Sequence, residues 1–434
     1  MSEPAPNISQ PCLLGAIADD YTGGADLAGM LCENGVRTVQ IFGLQPEPFF
    51  RSLAGRYQAA VVCLKSRAIP APDAVRVALT ALERLQCLRP GQIQFKYCST
   101  FDSTSEGNIG PVTESLLERL QVPFTIAVPA LPVNGRTQYL GHMFVGDRLL
   151  SESHMRHHPA NPMTDSNLVR HLQAQCRGAV GLISLETVRT GPIAIGREMQ
   201  RLTENRISIA LVDAICNEDL SAVAEAAVHL PLITGASGLG MSLPGVWQRL
   251  GMLGGSTLQA QPAATGPGGV VVLSGSCSAA TLAQLGDLQG RGCPVIAMEV
   301  SRLRTPELEI ERLYTEVLEA LQRNGMAAVY SSAPPEARPN DDGLAARIET
   351  AFSCLAQRFV QEAGIRKLVV AGGETSGAVV ESLGIPAVEV TGILDPGVPN
   401  LLSLGDPPVS LALKSGNFGA LDFFIKAIRH LQQS

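Results

Sequence analysis

Two adjacent carboxylates, Asp19 and Asp20, come directly after a short apolar segment, residues 13–18, that is typical of a buried strand. Open α/β sheets bind their ligands at the carboxyl ends of the strands, so this is a position where carboxylates do chemistry. Because neighbouring acids repel each other, we expect to find next to them a cation, a basic side chain or a substrate hydroxyl. The alternative is that Asp20 or Thr22 only caps the following helix. The dipeptide alone does not decide between catalysis and capping.

Polar side chains are also concentrated in the loop that follows the predicted strand 93–97. The candidate ligand contacts there are Lys96, Ser99, Asp102 and Ser103. Such a density of donors and acceptors suits a polyhydroxylated ligand. The alternative is that Ser103 or Thr104 caps a helix over 110–120. A cap needs only one such residue, so the pattern favours ligand binding.

Two further strand ends carry basic or amide side chains. Arg67 follows the predicted strand 59–64, and Asn134 and Arg136 follow the predicted strand 125–128. An arginine beside a glycine is suited to a bidentate grip on a carboxylate, although a single loop arginine is more often in a surface salt bridge. Four strand ends with polar residues indicate a site more strongly than any one of them.

The elements that position these residues alternate between strand and helix along nearly the whole chain. This pattern predicts an α/β fold with two α/β domains and largely parallel sheets. The predicted strands are 13–18, 38–42, 59–64, 93–97, 125–128, 180–183 and 208–213 in the first half, then 270–273, 294–298, 327–331, 367–371 and 387–390. A segment rich in Gly, Pro and Ala predicts a linker over 255–269, between domains over 1–254 and 270–434.

The second domain contains three glycine-rich turns. Those at 273–281 and 369–377 lie between a strand and a helix, and the one at 414–419 precedes the final helix. Small residues at a strand-to-helix turn let backbone amides face phosphate groups. None of the turns is a Walker P-loop, and the glycines of segment 235–240 have the wrong order for a dinucleotide fingerprint. One such turn alone is more often a helix cap, whereas three in one domain favour a nucleotide.

A cluster of histidines, His154, His157 and His158, invites a metal-site interpretation. No matching carboxylate or cysteine spacing accompanies it, so we favour a polar loop instead. The residues 164–166 are then expected to cap a helix over 166–176.

Composition limits the partners. The 434-residue chain is 45% hydrophobic, and its net charge of −7 argues against nucleic acid. It contains no apolar run long enough for a membrane span, and its first residues do not look like a signal peptide. Its ten cysteines include no Cys-x-x-Cys pair, which favours a reduced, cytoplasmic protein.

Several of these segments together resemble the four-carbon acid sugar kinase family. The matching segments are Ala-Asp-Asp-Tyr-Thr-Gly at 18–23, the loop 96–104, Asn-Gly-Arg at 134–136, Gly-Gly-Glu-Thr at 372–375 and Ser-Gly-Asn-Phe-Gly at 415–419. Tyrosine stands here where the family often has phenylalanine, in Asp-Phe-Thr-Gly. Segments 106–111, 132–136 and 163–168 are most similar to the branch that acts on 3-oxo-tetronates.

The resemblance implies a sugar-acid-binding first domain, a nucleotide-binding second domain, and transfer of phosphate from ATP to the terminal hydroxyl of a 3-oxo-tetronate in the interdomain cleft. We expect Asp20 to accept the hydroxyl proton and Asp19 to orient it or the metal. Substrate contacts are expected from Arg67, Lys96, Ser99, Asp102, Ser103, Asn134 and Arg136. ATP contacts are expected from Ser274, Ser276, Gly372, Gly373, Glu374, Thr375 and Gly416, with Glu374 also near Mg²⁺.

Other functions stay open at this point. A kinase of the same family for threonate or erythronate would differ only in pocket details. An NAD-dependent sugar-acid dehydrogenase is disfavoured because no ordered Gly-x-Gly-x-x-Gly follows the first strand. A non-catalytic sensor of sugar acids would gain nothing from adjacent negative charges. A homodimer is a further expectation.

Overall fold

The computed structural model describes residues 11–157, 161–253, 269–331, 343–395, 397–416 and 418–433. The chain divides into two compact units, Met1–Leu258 and Gln259–Ser434. The boundary falls in the segment predicted as a linker, of which only Gly269 belongs to the described residues. Among the helices of the described ranges, none has the length and apolar character needed to cross a membrane.

Within the described residues of the first unit, the sheet has eight strands and every neighbouring pair is parallel. Their order is β2 (Thr38–Phe42), β3 (Ala59–Cys63), β1 (Leu14–Ala18), β4 (Gln92–Lys96), β11 (Leu232–Gly235), β5 (Thr125–Val128), β10 (Ile207–Val212) and β9 (Ala179–Ile183). Strand β1 is buried along its whole length, as expected of a parallel strand covered by helices on both faces.

The helices of this unit are α1 (Tyr21–Glu33), α2 (Glu47–Leu53), α3 (Ala71–Gln86), α4 (Ile109–Leu120), α5 (Leu168–Gln173), α6 (Leu185–Thr190), α7 (Pro192–Glu204), α8 (Asn217–Ala227) and α9 (Gly238–Arg249). Helix α3 is amphipathic and buries a stripe that includes Ala74, Ala78, Leu82 and Leu85, at the spacing that places side chains on one helix face. A small antiparallel sheet, β6 (Arg136–Tyr139), β7 (His142–Val145) and β8 (Arg148–Leu149), was not predicted from the sequence.

Within the described residues the sheet of the second unit has seven strands, of which six run in one direction and one runs antiparallel to them. Their order is β13 (Val295–Ala297), β14 (Met326–Tyr330), β12 (Val270–Ser274), β15 (Lys367–Ala371), β18 (Ser410–Lys414), β17 (Val398–Ser403) and β16 (Ala387–Asp395). The helices are α10 (Ala279–Gly290), α11 (Pro306–Asn324), α12 (Leu344–Gln361), α13 (Gly373–Ser382) and α14 (Phe423–Gln433). The α/β fold with largely parallel sheets is therefore confirmed.

Strand register brings the carboxyl ends of neighbouring strands to one edge in each unit. In the first unit Ala18 pairs with Cys63 and Lys96, and Lys96 pairs with Gly235. In the second unit Ala371 pairs with Ser274 and Lys414. The loops that carry the predicted polar residues follow directly from these positions.

Candidate active site

The guanidinium of Arg67 joins the two adjacent carboxylates at the end of β1. Its Nε donates to Asp19 Oδ2 at 2.9 Å, and its Nη2 donates to Asp19 Oδ1 at 2.7 Å and to Asp20 Oδ1 at 2.6 Å. The backbone amides of Ser66 and Arg67 also donate to the carbonyl of Asp19. This pairing supplies the cationic partner that adjacent acids require.

The two carboxylates differ in electrostatic character. Burial is the largest influence on Asp19 and raises its pKa, in spite of the attraction of Arg67. Burial also acts to raise the pKa of Asp20, but Arg67, Lys96 and nearby hydrogen bonds outweigh it, so that the pKa of Asp20 is lowered. The side chain of Asp19 is 4% exposed and that of Asp20 is 27% exposed. Asp20 is therefore the ionised carboxylate that a ligand can reach.

Asp20 is also the N-cap of α1. It accepts a hydrogen bond from the backbone amide of Gly23 at 2.9 Å and from Thr22 Oγ1 at 2.8 Å. A Cβ atom at Gly23 would lie 2.3 Å from Asp20 Oδ1 and 2.8 Å from Lys96 Nζ. Glycine is needed here because the helix backbone, the carboxylate and the ammonium group approach closely. The Asp20 side chain thus caps α1 and also belongs to the charged cluster. The sequence presented capping and a site role as alternatives.

Several polar side chains of the loop after β4 already have hydrogen-bond partners within the protein. Ser103 Oγ donates to the carbonyl of Phe101 and accepts from Gln175 Nε2 at 2.9 Å, and it lies 3.3 Å from His171 Nε2. Lys96 Nζ donates to the carbonyl of Tyr97 at 3.0 Å. Asp102 is buried and Ser99 is half-buried in the same loop.

The suggested cap of the helix after this loop is wrong. Helix α4 begins after Asn108, not after Ser103 or Thr104. The Asn108 side chain does not cap it either, because Nδ2 donates to the carbonyls of Ser66 and Ile69 at 2.8 and 3.1 Å. Sequence reasoning missed Asn108, which ties the loop that carries Arg67 to α4.

Arg136 and Asn134 lie together at the start of the small sheet. Arg136 Nη1 donates to the carbonyl of Asn134 across Gly135, whose positive φ of 68° favours glycine. Arg136 Nε is buried and has no hydrogen-bond partner within the part of the chain that the structure describes.

Sequence reasoning also missed Asp26 and Ser237. Ser237, at the start of α9, donates a hydrogen bond from Oγ to Asp26 Oδ2 at 2.5 Å. Burial raises the pKa of Asp26, and Lys96, Asp20 and Arg136 all lie within electrostatic range of it. A signal was present, because Asp26 is the only charged residue of α1 before Glu33, and an acid inside an apolar helix is rare without a partner.

In the second unit the three glycine-rich turns meet at one edge of the sheet. A Cβ atom at Gly275 would lie 2.0 Å from Thr375 Oγ1, and one at Gly416 would lie 2.5 Å from Ser276 Oγ. Gly372 has a φ of 117°, and a Cβ atom there would lie 3.2 Å from the backbone nitrogen of Ser276. Glycine is needed at 275 and 416 because side-chain hydroxyls lie where a Cβ atom would be, and α13 begins at one of these turns, where its N-terminal amides could face a phosphate.

Lys414 lies beneath these turns and was not assigned a role from the sequence. Its Nζ donates to Thr281 Oγ1 at 2.9 Å and to the carbonyls of Ser415 and Gly416 at 3.1 Å each. Burial lowers the pKa of Lys414 to about 8. Lys414 therefore organises the turn that contains Gly416.

The other residues predicted to bind the nucleotide lie at the end of β12 and at the start of α13. Ser274 ends β12 in a fully buried position, while Gly373 and Glu374 are exposed in the first turn of α13. The exposed carboxylate of Glu374 beside these turns fits Mg²⁺, which is usually held by one or two carboxylates, water and phosphate groups.

The histidine segment is placed differently from the prediction. His154 and His157 lie in a short 3-10 helix, and His158 is outside the described residues. The following helix is α5, and its N-cap is Asn167, which accepts from the backbone amide of Arg170. The expected helix over 166–176 was therefore too long, and its expected cap at 164–166 was wrong.

Comparison with known proteins agrees with this two-unit organisation. Residues 14–243 match a family described as a sugar-binding N-terminal domain, and residues 271–424 match one described as a nucleotide-binding C-terminal domain. Fold and comparison together define a two-domain protein with one unit of sugar-binding type and one of nucleotide-binding type.

Full-length relatives narrow this class. A 3-oxo-tetronate kinase of Pseudomonas savastanoi is 44% identical over 96% of this chain and 97% of its own length, and one of Salmonella typhimurium is 42% identical over 96% and 99%. A crystal structure of a Salmonella typhimurium protein described as a tRNA synthase has a TM-score of 0.86 at 42% identity, covering 96% of this chain and 99% of that chain. A structure from Haemophilus influenzae has a TM-score of 0.81 at 40% identity, covering 96% and 100%. The chain belongs to the four-carbon acid sugar kinase family, among the relatives named 3-oxo-tetronate kinase.

Proposed function

We propose that this chain is an ATP-dependent kinase that phosphorylates the terminal 4-hydroxyl group of 3-oxo-tetronate. The observation that carries the proposal is the cluster of Asp19, Asp20, Arg67 and Lys96 at one strand edge of the sugar-binding unit. The names of the relatives support the choice of acid. The net charge of −7 disfavours a polyanionic partner such as the tRNA in the name of the Salmonella typhimurium structure.

The substrate carboxylate is assigned to Arg136 and Lys96. Arg136 has a buried Nε available as a donor, and Lys96 supplies a second positive charge. Arg67 has Nε and Nη2 engaged by the aspartates, so only Nη1 is left for a ligand. Its main contribution in this proposal is to hold Asp19 and Asp20.

The oxo and hydroxyl groups of the substrate are assigned to short polar side chains of the neighbouring loops. These are Ser99, Asp102, Ser103 and Asn134. Ser103 already has three polar neighbours, so in addition to this contact it fixes the shape of the loop.

In the proposed reaction the C4 hydroxyl oxygen attacks the γ-phosphorus of ATP. The bond from oxygen to phosphorus forms while the bond to the β,γ-bridging oxygen breaks, and ADP leaves. The hydroxyl proton passes to the Asp20 carboxylate, which its lowered pKa keeps ionised. A weak base suffices because phosphoryl transfer depends mainly on positioning and charge neutralisation. Asp19, fixed by Arg67, holds Asp20 in place.

The nucleotide phosphates are assigned to the turns around Gly275. The contacts would come from Ser274, Ser276, Gly372, Gly373, Thr375 and Gly416. Glu374 would hold Mg²⁺, directly or through water, and the ion would neutralise charge on the phosphates.

A coupled assay of ADP release with 3-oxo-tetronate, threonate and erythronate tests the proposed function. We expect kcat/KM for 3-oxo-tetronate to exceed the other two by at least about a hundredfold, because the oxo group changes both shape and hydrogen bonding at C3. Preference for threonate or erythronate would assign the chain to the alternative kinase. Reduction of NAD with these acids and no ADP release would indicate a dehydrogenase.

Two further properties belong to the proposal. The cysteine spacing favours a cytoplasmic location, and a homodimer is the expected oligomer. Light scattering after size-exclusion chromatography measures the mass directly, and a mass near 45.8 kDa would contradict the dimer.

A further inference from the structure

Asp26 has one carboxylate oxygen that the fold leaves unsatisfied. Oδ2 accepts a hydrogen bond from Ser237 Oγ at 2.5 Å. Oδ1 is fully buried and has no hydrogen-bond partner among the described residues. A buried acceptor without a donor is costly, so its presence in a native fold calls for an explanation.

The surroundings of Asp26 point to a ligand. Arg136 and Lys96 attract its charge, and Asp20 repels it. Arg136 Nε is itself a buried donor without a partner within the described ranges. An unsatisfied acceptor and an unsatisfied donor within electrostatic range of each other fit a ligand with a hydroxyl next to a carboxylate, which would supply both missing partners.

Ser237 gives this arrangement a structural basis. It follows β11 at the start of α9 and is fully buried. Gly235, which ends β11, would place a Cβ atom 2.2 Å from the carbonyl oxygen of Val128, so glycine is required there. The glycine-rich segment after β11, which no nucleotide motif explains, thus brings Ser237 against Asp26.

We infer that Asp26 is a specificity-determining residue that accepts a hydrogen bond from the C2 hydroxyl of the sugar acid through Oδ1, beside the carboxylate held by Arg136. The inference rests on the proposed function. In 3-oxo-tetronate the C4 hydroxyl is the phosphoryl acceptor, so the C2 hydroxyl is the one left to be recognised. The C2 hydroxyl neighbours the carboxylate, so Asp26 and Arg136 together recognise the α-hydroxy acid end of the substrate.

The test compares two substrates in two enzymes. Wild type and Asp26→Ala are assayed for ADP release with 3-oxo-tetronate and with 4-hydroxy-3-oxobutanoate, which lacks the C2 hydroxyl. We expect wild type to prefer 3-oxo-tetronate by about tenfold to a hundredfold in kcat/KM, the range for a hydrogen bond to a charged group. Asp26→Ala should lose this preference, mainly through a higher KM for 3-oxo-tetronate.

Additional variants separate recognition from folding. Asp26→Asn should keep part of the preference, because its amide oxygen can accept the same hydrogen bond. Ser237→Ala should weaken the preference in the same direction and decides the matter if Asp26→Ala does not fold. Glu33→Gln, an acid-to-amide change at the exposed end of α1, should leave both substrates unaffected.

Equal losses on both substrates in Asp26→Ala and Ser237→Ala would overturn the inference, as would a wild type without preference. Absence of phosphorylation of either acid by the wild type would instead contradict the proposed function. The two failures are therefore distinguishable.

Discussion

Arg67 meets Asp19 through two side-by-side hydrogen bonds, Nε to Oδ2 at 2.9 Å and Nη2 to Oδ1 at 2.7 Å. This bidentate geometry is the strongest form of the arginine–carboxylate pair. The same Nη2 reaches Asp20, so one guanidinium donates hydrogen bonds to two neighbouring acids. The Arg67–Asp19 pair thereby holds Asp20, the carboxylate that we propose accepts the hydroxyl proton of the substrate.

Removal of this guanidinium should destabilise the fold. Arg67→Met leaves buried Asp19 without its cation, and breaking a buried ion pair costs about 3–5 kcal/mol. Urea unfolding at pH 7 measures the change in free energy of unfolding. The control is Arg76→Met, which breaks an exposed pair with Asp73 and should cost less than about 1 kcal/mol. Equal costs for the two variants would show that the Arg67 cluster contributes nothing special.

The proton acceptor can be tested with an amide at Asp20. Asp20→Asn should lower kcat by about 10²–10⁴-fold, the contribution typical of a positioned acid or base, with little change in substrate binding. Asparagine is also a good N-cap, so α1 should remain intact. Circular dichroism and thermal unfolding check the helix. Near-normal kcat in a protein that binds both substrates would refute the assignment of Asp20.

The proposed nucleotide site around Gly275 predicts sensitivity to a single methyl group. In Gly275→Ala the new Cβ atom would meet Thr375 Oγ1 at 2.0 Å, so the turns must separate. We expect KM for ATP to rise about tenfold or more, while KM for the sugar acid stays constant. Gly286→Ala in α10 is the matched control, because nothing lies within 4 Å of its Cβ position. A helical alanine there should stabilise the protein by up to about 1 kcal/mol.

Lys414 predicts a pH dependence of ATP binding. Its pKa of about 8 means that the ammonium group, which donates to Thr281 and to the carbonyl of Gly416, loses its charge as the pH rises from 7 to 9. KM for ATP should increase about three- to tenfold over this range as these hydrogen bonds weaken. In Lys414→Met KM should be high and independent of pH.

The stability of the fold should change with pH in the direction opposite to ATP binding. The pKa of Lys414 is lower in the folded than in the unfolded chain, so the unfolded chain binds more protons between pH 8 and 10.5. The free energy of unfolding should therefore gain a favourable contribution as the pH rises through this window. An equal pH dependence in wild type and Lys414→Met, for both KM and stability, would contradict the role of Lys414.

Much of the strand framework could be predicted because apolar segments that end in polar residues are visible in the sequence. The register of β1 and β4 then brings Asp19 near Lys96, as expected of parallel strands. Strand β11 was missed because its four residues run into a glycine-rich segment, and β6 to β8 were missed because short strands with intervening glycines show no clear period.

The detailed partnerships of the site depend on three-dimensional contacts that no local pattern encodes. The sequence suggested Arg67 as a ligand for the substrate, whereas its nearest anions are Asp19 and Asp20, which lie 48 and 47 residues away along the chain, respectively. Asp26 and Ser237 are separated by 211 residues. Spacing alone cannot reveal such a pair, although an acid inside the apolar helix α1 was a usable signal.

The most direct test of the central claim is identification of the product by ³¹P NMR after incubation of the wild type with ATP, Mg²⁺ and an equimolar mixture of 3-oxo-tetronate, threonate and erythronate. The proposed function predicts one new phosphate-ester signal, coupled to the two C4 protons of a 3-oxo acid. An ester of threonate or erythronate as the main product, an ester at C2, or no ester at all would contradict it.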